Sequence, residues 1–221
     1  MDRFASPGLP TVRLGGRPPA DYGSAAGELA ACVRGVGLAD RGDLGVLAVS
    51  APERLIAELG RRLSGAPLLP GGVAFAAGGW WCRDGHGLLG ICEPERRERV
   101  AAHLLGALGE LRGLRLHERS AELQPLALLG ARAPELLSAL GGLESPAAIR
   151  AVSPFRRAML AGVETALLLQ SDRRMLLLPR REQAPSLWRA IEQAGRPLRL
   201  SLVGHEAARR FALLDRLPCE R

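Results

Sequence analysis

The 221-residue sequence predicts an α+β fold of two pseudo-symmetric strand–helix halves, and an internal repeat carries most of that prediction. LAVSAPERLIAELG, from Leu47, and LALLGARAPELLSALG, from Leu126, both run from a strand through an Ala/Pro/Glu turn into a Leu-rich helix. LLGICEPERRERVAAHLLGALG, from Leu88, is echoed by LLLPRREQAPSLWRAIEQAG, from Leu176. Leu-rich helices resemble one another by chance, but here strand and helix recur in matching order, as a duplicated unit requires. Apolar residues make up 47% of the chain, enough for a core in one large domain or two intimately packed small ones.

Residues 1–20, rich in Pro and Gly, read as an irregular segment that wraps the surface or stays mobile. The domain proper then spans 21–221, with halves at about 21–110 and 111–221. From Ser24 the pattern turns helical, with Leu29, Cys32, Val33 and Val36 on one face. A strand over Leu44–Val49 feeds a helix opened by a capping box, Ser50 with Glu53, and buried through Leu55, Ile56 and Leu59. The Gly-rich stretch from Pro70 to Gly87 reads as strand and turns, and Leu88–Cys92 as a short buried strand. A helix follows with Val100, Leu104, Leu105 and Leu108 inward. Leu114–Glu118 and Leu123–Leu129 read as strands, Pro134–Leu140 as a helix, and Val163–Gln170 and Met175–Leu178 as strands. A helix around Trp188 and Ile191 and a last one from about His205 complete the series.

Composition narrows the class. No apolar run approaches the roughly 20 residues that span a bilayer, and the start, MDRFASPGLP, has no signal core. Cys32, Cys82, Cys92 and Cys219 show no framework spacing, which points to reduced thiols and a cytoplasmic location. All 30 basic residues are Arg, a bias a GC-rich genome explains, and most Arg pairs have Glu nearby, as in EPERRERV from Glu93. With few aromatic residues interleaved for base stacking, solvated helix faces are favoured over nucleic-acid binding. His86, His103, His117 and His205 lack metal-ligand spacing, and GGVAFAAGG lacks a phosphate-loop ending.

Two runs, YGSAAGELAACVRGVGLADRGDLGVLAVS from Tyr22 and SLWRAIEQAGRPLRLSLVGHEAARRFALLDRLP from Ser186, carry a family resemblance. GLAD at Gly37–Asp40, LLGAR at Leu128–Arg132 and WRAIEQAG at Trp188–Gly195 are its best islands, and their order and spacing give it specificity. Together they resemble the folate-binding domain of the glycine cleavage system T-protein (aminomethyltransferase) and YgfZ-like family. That resemblance implies two ferredoxin-like halves and a tetrahydrofolate or folate-derived ligand. It also implies a C-terminal β-barrel for which this chain has no room, and the iron–sulfur-repair branch's KGCYxGQE motif is absent.

The family's polar site positions are mostly replaced. Its Asp pair aligns with AFAAGGWW at Ala74–Trp81, which has no carboxylate; Asp84 falls in a hairpin turn. Its pterin-gripping Glu aligns with LQSDRRM at Leu169–Met175, leaving Asp172 as a displaced substitute. Its last-helix Arg falls on Ala208, beside Arg209. Tyr22, Asp40, Trp80, Trp81, Asp172 and Arg209 are therefore the candidate ligand-binding residues, with no catalytic residue or metal ligand assigned. Trp80 and Trp81 suit stacking on a flat ring, although core or interface packing is the commoner use of such residues. Three functions follow, and whether the chain is an enzyme stays open. It is a non-catalytic subunit or accessory protein in one-carbon or amine metabolism, with a partner chain or self-association replacing the barrel. Or it is an active tetrahydrofolate-dependent transferase with a rearranged site. Or it is a basic module for an acidic partner.

Overall fold

The structure is a computed structural model that describes residues 14, 18–85, 87–109, 111–141 and 153–215. Most of the 1–20 segment, His86 and Cys219 lie outside these residues. In chain order the first elements are α1 (Ala25–Arg34), β1 (Val36–Asp40), β2 (Gly45–Ser50), α2 (Glu53–Ser64), β3 (Val73–Ala76), β4 (Gly79–Asp84) and β5 (Gly87–Cys92). A 3-10 turn at Pro94–Arg96 leads to α3 (Arg97–Leu108), β6 (Arg115–Glu118), β7 (Leu126–Leu129) and α4 (Ala133–Ala139). Then come β8 (Phe155–Leu160), β9 (Val163–Ser171), β10 (Arg174–Pro179), α5 (Ala184–Gly195), β11 (Leu200–Leu202) and α6 (His205–Leu214).

The strands form two sheets, of order β11-β1-β7-β10-β9-β8 and β3-β4-β5-β2-β6. Each takes one strand from the other sequence half. β1 pairs with β7 and, in parallel, with β11, while β6 pairs with β2. The α+β class with two strand–helix halves expected from the sequence is thus observed, with the halves interlocked. No described helix is long and apolar enough to cross a membrane.

Side-chain alternation along the strands sorts the core into layers. On β10, Met175 and Leu177 face outward onto α4 and α5, joining Leu136, Leu137, Leu187, Trp188 and Ile191. Leu176 and Leu178 face the opposite way, into an inner layer shared with Val46, Leu89 and Ile91 of the other sheet and with Phe211 of α6. The five-stranded sheet buries its far face, including Leu47, Val49 and Trp81, under Ile56 and Leu59 of α2 and Val100 and Leu104 of α3. The result is helices, sheet, sheet, helices, with α1 and α6 packed together beside the inner layer.

Several local expectations are corrected. Ser50 is the last residue of β2, not a helix cap; α2 starts after Pro52, and the Glu53 carboxylate pairs with Arg83 instead. Val36 opens β1 rather than extending α1, and Val33 is exposed because it lies one residue, or 100°, from fully buried Cys32. Leu105 is exposed for the same reason beside buried Leu104, and Ala107 fills the inward place given to half-buried Leu108. Leu123 makes only an isolated bridge with Arg180 before β7 begins. As read from sequence, arginines on helix faces pair with nearby glutamates, among them Arg62 with Glu58 at 3.1 Å and Arg210 with Glu206 at 2.9 Å.

Two hairpins close with the same dipeptide. Ala76 pairs with Gly79 around Ala77–Gly78, and Leu160 with Val163 around Ala161–Gly162. All four loop residues have positive φ (53°, 91°, 47° and 81°), as type I′ turns between twisted strands require. The alanines bear the left-handed penalty of roughly 1–2 kcal/mol, which glycine avoids at some cost in unfolded-state entropy. Ala77→Gly and Ala161→Gly should each stabilise the protein by about 0.5–1 kcal/mol net. The urea midpoint checks this; an unchanged or lower midpoint in both variants would refute it.

The three described cysteines are free and buried. Burial, then the Glu28 carboxylate, pushes the Cys32 thiol from 9.0 up to about 12. Cys82 is raised by burial and then Asp84, and Cys92 mainly by burial. Because the folded thiols hold their protons while unfolded ones release them above about pH 9, stability is full below pH 9 and falls as pH rises toward 12. The limiting slope is roughly 1.4 kcal/mol per pH unit for each such thiol. Urea midpoints between pH 8 and 10.5 should fall more steeply for the wild type than for Cys32→Ala. Parallel profiles would contradict this assignment.

Candidate functional site

A cavity of about 330 Å³ opens between the two sheets beside α6. Ala127 and Leu129 of β7, Leu176 of β10, Ile91 of β5, and Leu44 supply its apolar lining. Trp80 and Phe75 of the β3–β4 hairpin close one side, their ring centroids 5.1 Å apart in an edge-on arrangement. Strand alternation explains why Trp80 faces the cavity and its neighbour Trp81 does not. This size lies at the lower end of small-ligand pockets.

α6 forms the opposite wall and is tied down at both ends. Its N-terminal amides are satisfied by chain rather than by a side-chain cap: His205 N donates to Pro19 O at 2.9 Å and Glu206 N to Ala20 O at 3.0 Å. The buried Glu28 carboxylate joins the same region, accepting from Gly204 N at 2.8 Å and Tyr22 N at 2.5 Å. At the other end, Arg174 donates to Ala212 O at 3.2 Å and Gln170 Oε1 at 3.1 Å, and lies 3.8 Å from Asp215. A cation suits this place because the last helical carbonyls lack intrahelical partners.

The polar wall is an ion cluster around buried Arg41. Arg41 donates to Asp43 at 3.0 Å and 3.3 Å and to Glu93 at 2.5 Å. Burial works against the Arg41 charge, but Glu93 and Asp43 outweigh it and hold the guanidinium above its ordinary pKa. His205 Nδ1 stands 3.8 Å from Asp43 Oδ2, beyond hydrogen-bond reach. Of the cavity's carboxylates, Glu93 is engaged by Arg41 and Glu95 is exposed at the rim.

Two of the six candidate residues, Trp80 and Arg209, line this cavity together. The other four lie elsewhere. Trp81 is fully buried on the far face of its sheet, its indole N–H donating to Ala76 O at 3.2 Å. Asp40 follows Val36 and Leu38 onto the outer face of β1, where Oδ1 accepts from Gly42 N at 2.8 Å and Gln124 Nε2 at 2.5 Å. Tyr22 packs on the outer core; burial, then the Asp40 and Glu28 charges, raises its phenol pKa. Asp172 is exposed in the β9–β10 turn. Asp84 pairs with Arg157 of β8 at 2.7 Å, a structural role consistent with its hairpin position. His103, half-buried, contacts Leu63 O at 3.2 Å. Arg41, Glu93, Gln170 and Arg174 were not singled out as site residues from sequence, since only tertiary contact separates them from the chain's other polar side chains. No group of three His, Cys, Asp or Glu that could hold a metal ion occurs among the described residues.

No family model matches the chain, and no curated protein matches it. Solved structures do. A chain of the heterotetrameric sarcosine oxidase from Corynebacterium sp. U-96, in complex with pyrrole 2-carboxylate, is similar at a TM-score of 0.62 and 22% identity. The match covers 84% of this chain and 97% of that one. The glycine cleavage system aminomethyltransferase T from Bartonella henselae matches at a TM-score of 0.64 and 16% identity, over 93% of this chain and 58% of its own. This chain therefore spans little more than half of that aminomethyltransferase. At these identities the likeness is one of fold, and the fold is the T-protein-like α+β architecture that the sequence resemblance implied.

Proposed function

We propose that this chain is a non-catalytic subunit or accessory chain of a hetero-oligomeric enzyme in amine or one-carbon metabolism, of the sarcosine-oxidase kind. One observation carries the reading. The stretch aligned with the family's Asp pair does border the cavity, but through Phe75, Gly78 and Trp80 it offers aromatic rings and backbone and no carboxylate. A transferase needs a carboxylate there to orient the folate and stabilise developing charge, and Glu93 is already neutralised by Arg41. The sarcosine oxidase supports the subunit part, because a chain of that heterotetramer is matched over nearly its whole length. The test is to purify the assembly through a tag on this chain from its own cells and follow sarcosine-dependent oxygen uptake. Activity in the assembly and none in the isolated chain is expected. Turnover of sarcosine, or of tetrahydrofolate, by the isolated chain would overturn the reading.

A second reading keeps folate as a bound ligand without chemistry. Trp80 offers a flat apolar face at a cavity whose mouth carries Arg96 and Arg209. Against it, each unmatched polar edge of a buried pterin costs about 1–3 kcal/mol. Calorimetric titration with tetrahydrofolate and its 5-formyl form at two salt concentrations decides. Saturable, salt-insensitive heat favours retained binding, and none removes it.

A further inference from the structure

The polar side chains that line the cavity are unequally spent. Glu93 is held by Arg41, and Arg41 in turn by Glu93 and Asp43. Arg174 donates to Ala212 O and to Gln170 Oε1, which leaves Gln170 its two amide N–H donors. Arg96 and Arg209 are exposed at the mouth, and neither has a carboxylate partner among the described residues. Arg210, next to Arg209, does have one, in Glu206 at 2.9 Å. Of the carboxylates in the lining only Glu95 is not engaged, and it is exposed at the rim. What these side chains still offer a ligand is chiefly donors and positive charge, beside aromatic rings and aliphatic groups.

The two arginines give such a ligand a direction. Arg96 lies on the aromatic side: a Cβ on Gly78 would lie 2.8 Å from its Cδ, so its stem runs along the tip of the hairpin that carries Trp80. Arg209 belongs to the opposite wall, α6, where Ala208 and Ala212 line the cavity with methyl groups and leave it room. We infer that this cavity binds a small aromatic carboxylate, its rings against Trp80 and its carboxylate directed to the mouth, toward Arg96 and Arg209. A volume of about 330 Å³ admits one or two rings. Hydrogen bonds from a guanidinium to a carboxylate are roughly twice as strong as neutral ones, and ring burial supplies the apolar share. A pterin suits the site less well, because its amino and ring N–H donors call for a free carboxylate and Glu93 is taken. This binding goes beyond the subunit reading and does not depend on it, since it needs this chain alone.

The probe is 2-naphthoate. Naphthalene-2-carboxamide and 2-naphthylmethylamine are its neutral and cationic counterparts, and acetate is the acid without rings. In calorimetry the isolated chain should bind 2-naphthoate at least about tenfold more tightly than any of the three, and the preference for the acid should weaken as salt screens the mouth. Arg96→Gln with Arg209→Gln should remove the difference between acid and amide. Both residues are exposed, so the variant should keep the wild-type urea midpoint, which is checked first. Position is read from the indole N–H signals of the three tryptophans in a proton–nitrogen correlation spectrum. 2-Naphthoate should move the signal that is missing from Trp80→Phe more than those of Trp81 and Trp188, which are buried in the two outer layers. Equal binding of acid and amide overturns the inference, as do an absence of binding, an acid preference that survives in the arginine variant, and shifts confined to the other two indoles. Tighter binding of 5-formyltetrahydrofolate than of 2-naphthoate also overturns it, in favour of folate. Sarcosine-dependent oxygen uptake by the purified assembly tests the subunit reading separately, so either can fail while the other stands.

Discussion

Gly130→Ala is expected to cost the chain a large share of its stability. Gly130 follows β7 with φ +123°, and a Cβ there would lie 2.3 Å from Cys32 O and 2.5 Å from Gly35 O. Both obstacles are backbone at the end of α1, so no rotamer change relieves them. Nor can the glycine move freely. Its N–H donates to Arg173 O at 2.8 Å, its carbonyl accepts from Ala133 N at 3.1 Å, and Arg132 N donates to Gly35 O at 3.1 Å. Shifting it would loosen the β7–β10 ladder, the start of α4 and the end of α1 together. Overpacking of roughly 1–3 kcal/mol adds to a backbone penalty of similar size, for a total of about 4 kcal/mol or more. That is a large share of a typical stability of roughly 5–15 kcal/mol. Gly141→Ala is the control: φ is +81° there too, but the nearest atom to its Cβ is 3.9 Å away. It should cost only about 1 kcal/mol. Soluble yield and urea unfolding measure both, and a Gly130→Ala midpoint equal to that of Gly141→Ala would refute the packing argument.

Glu53→Gln is expected to destabilise the protein by about 3 kcal/mol, more than deleting its buried partner. The Arg83 side chain is fully buried, and its charge is met by the Glu53 carboxylate in the first turn of α2. Its Nη1 donates to Gly87 O at 2.9 Å, and Nε has no partner among the described residues. Removing the carboxylate strands a buried cation, a loss of roughly 3–5 kcal/mol in comparable pairs. The lower end applies because the Glu53 side chain is 66% exposed, so water reaches that end of the guanidinium. Arg83→Met replaces the buried charge with apolar volume, and the glutamate left behind is already solvated. It should therefore cost less than about 1.5 kcal/mol. At this chain length, 3 kcal/mol lowers Tm by roughly 6–12 °C. Calorimetry of both variants tests the ordering; a larger loss in Arg83→Met would show that packing, not charge, dominates this position.

The elements legible in the sequence were those that bury one face against solvent. The helices with Ile56, Leu59, Val100, Leu104, Trp188 and Ile191 repeat at the helical period because their other faces are wet. β9 and β10 were legible as long apolar runs. β1, β8 and β11 were not. VGLAD is buried on both faces and follows α1 with only Gly35 between, so its apolar residues look like one more helical turn. Strand β8, FRRAML, carries Arg156 and Arg157 on an edge, where charge protects the sheet but hides the period. Ser50–Glu53 matched a capping box in type and spacing, yet Glu53 found a stronger partner thirty positions away in Arg83.

The site divides along the same line. Sequence alone determined the α+β class, the repeated strand–helix unit, the family-like order of islands, and that the Asp-pair stretch has no carboxylate. Those are properties of residue type and order along the chain. Only the tertiary structure decided which of two adjacent tryptophans faces the cavity. A strand sends neighbours to opposite sides, and sequence cannot say which side another sheet will cover. It likewise brought Arg41, Arg96 and Arg174, from among 30 arginines, to the cavity beside Arg209, because a charge becomes part of a site through the distance to its partners, which folding sets.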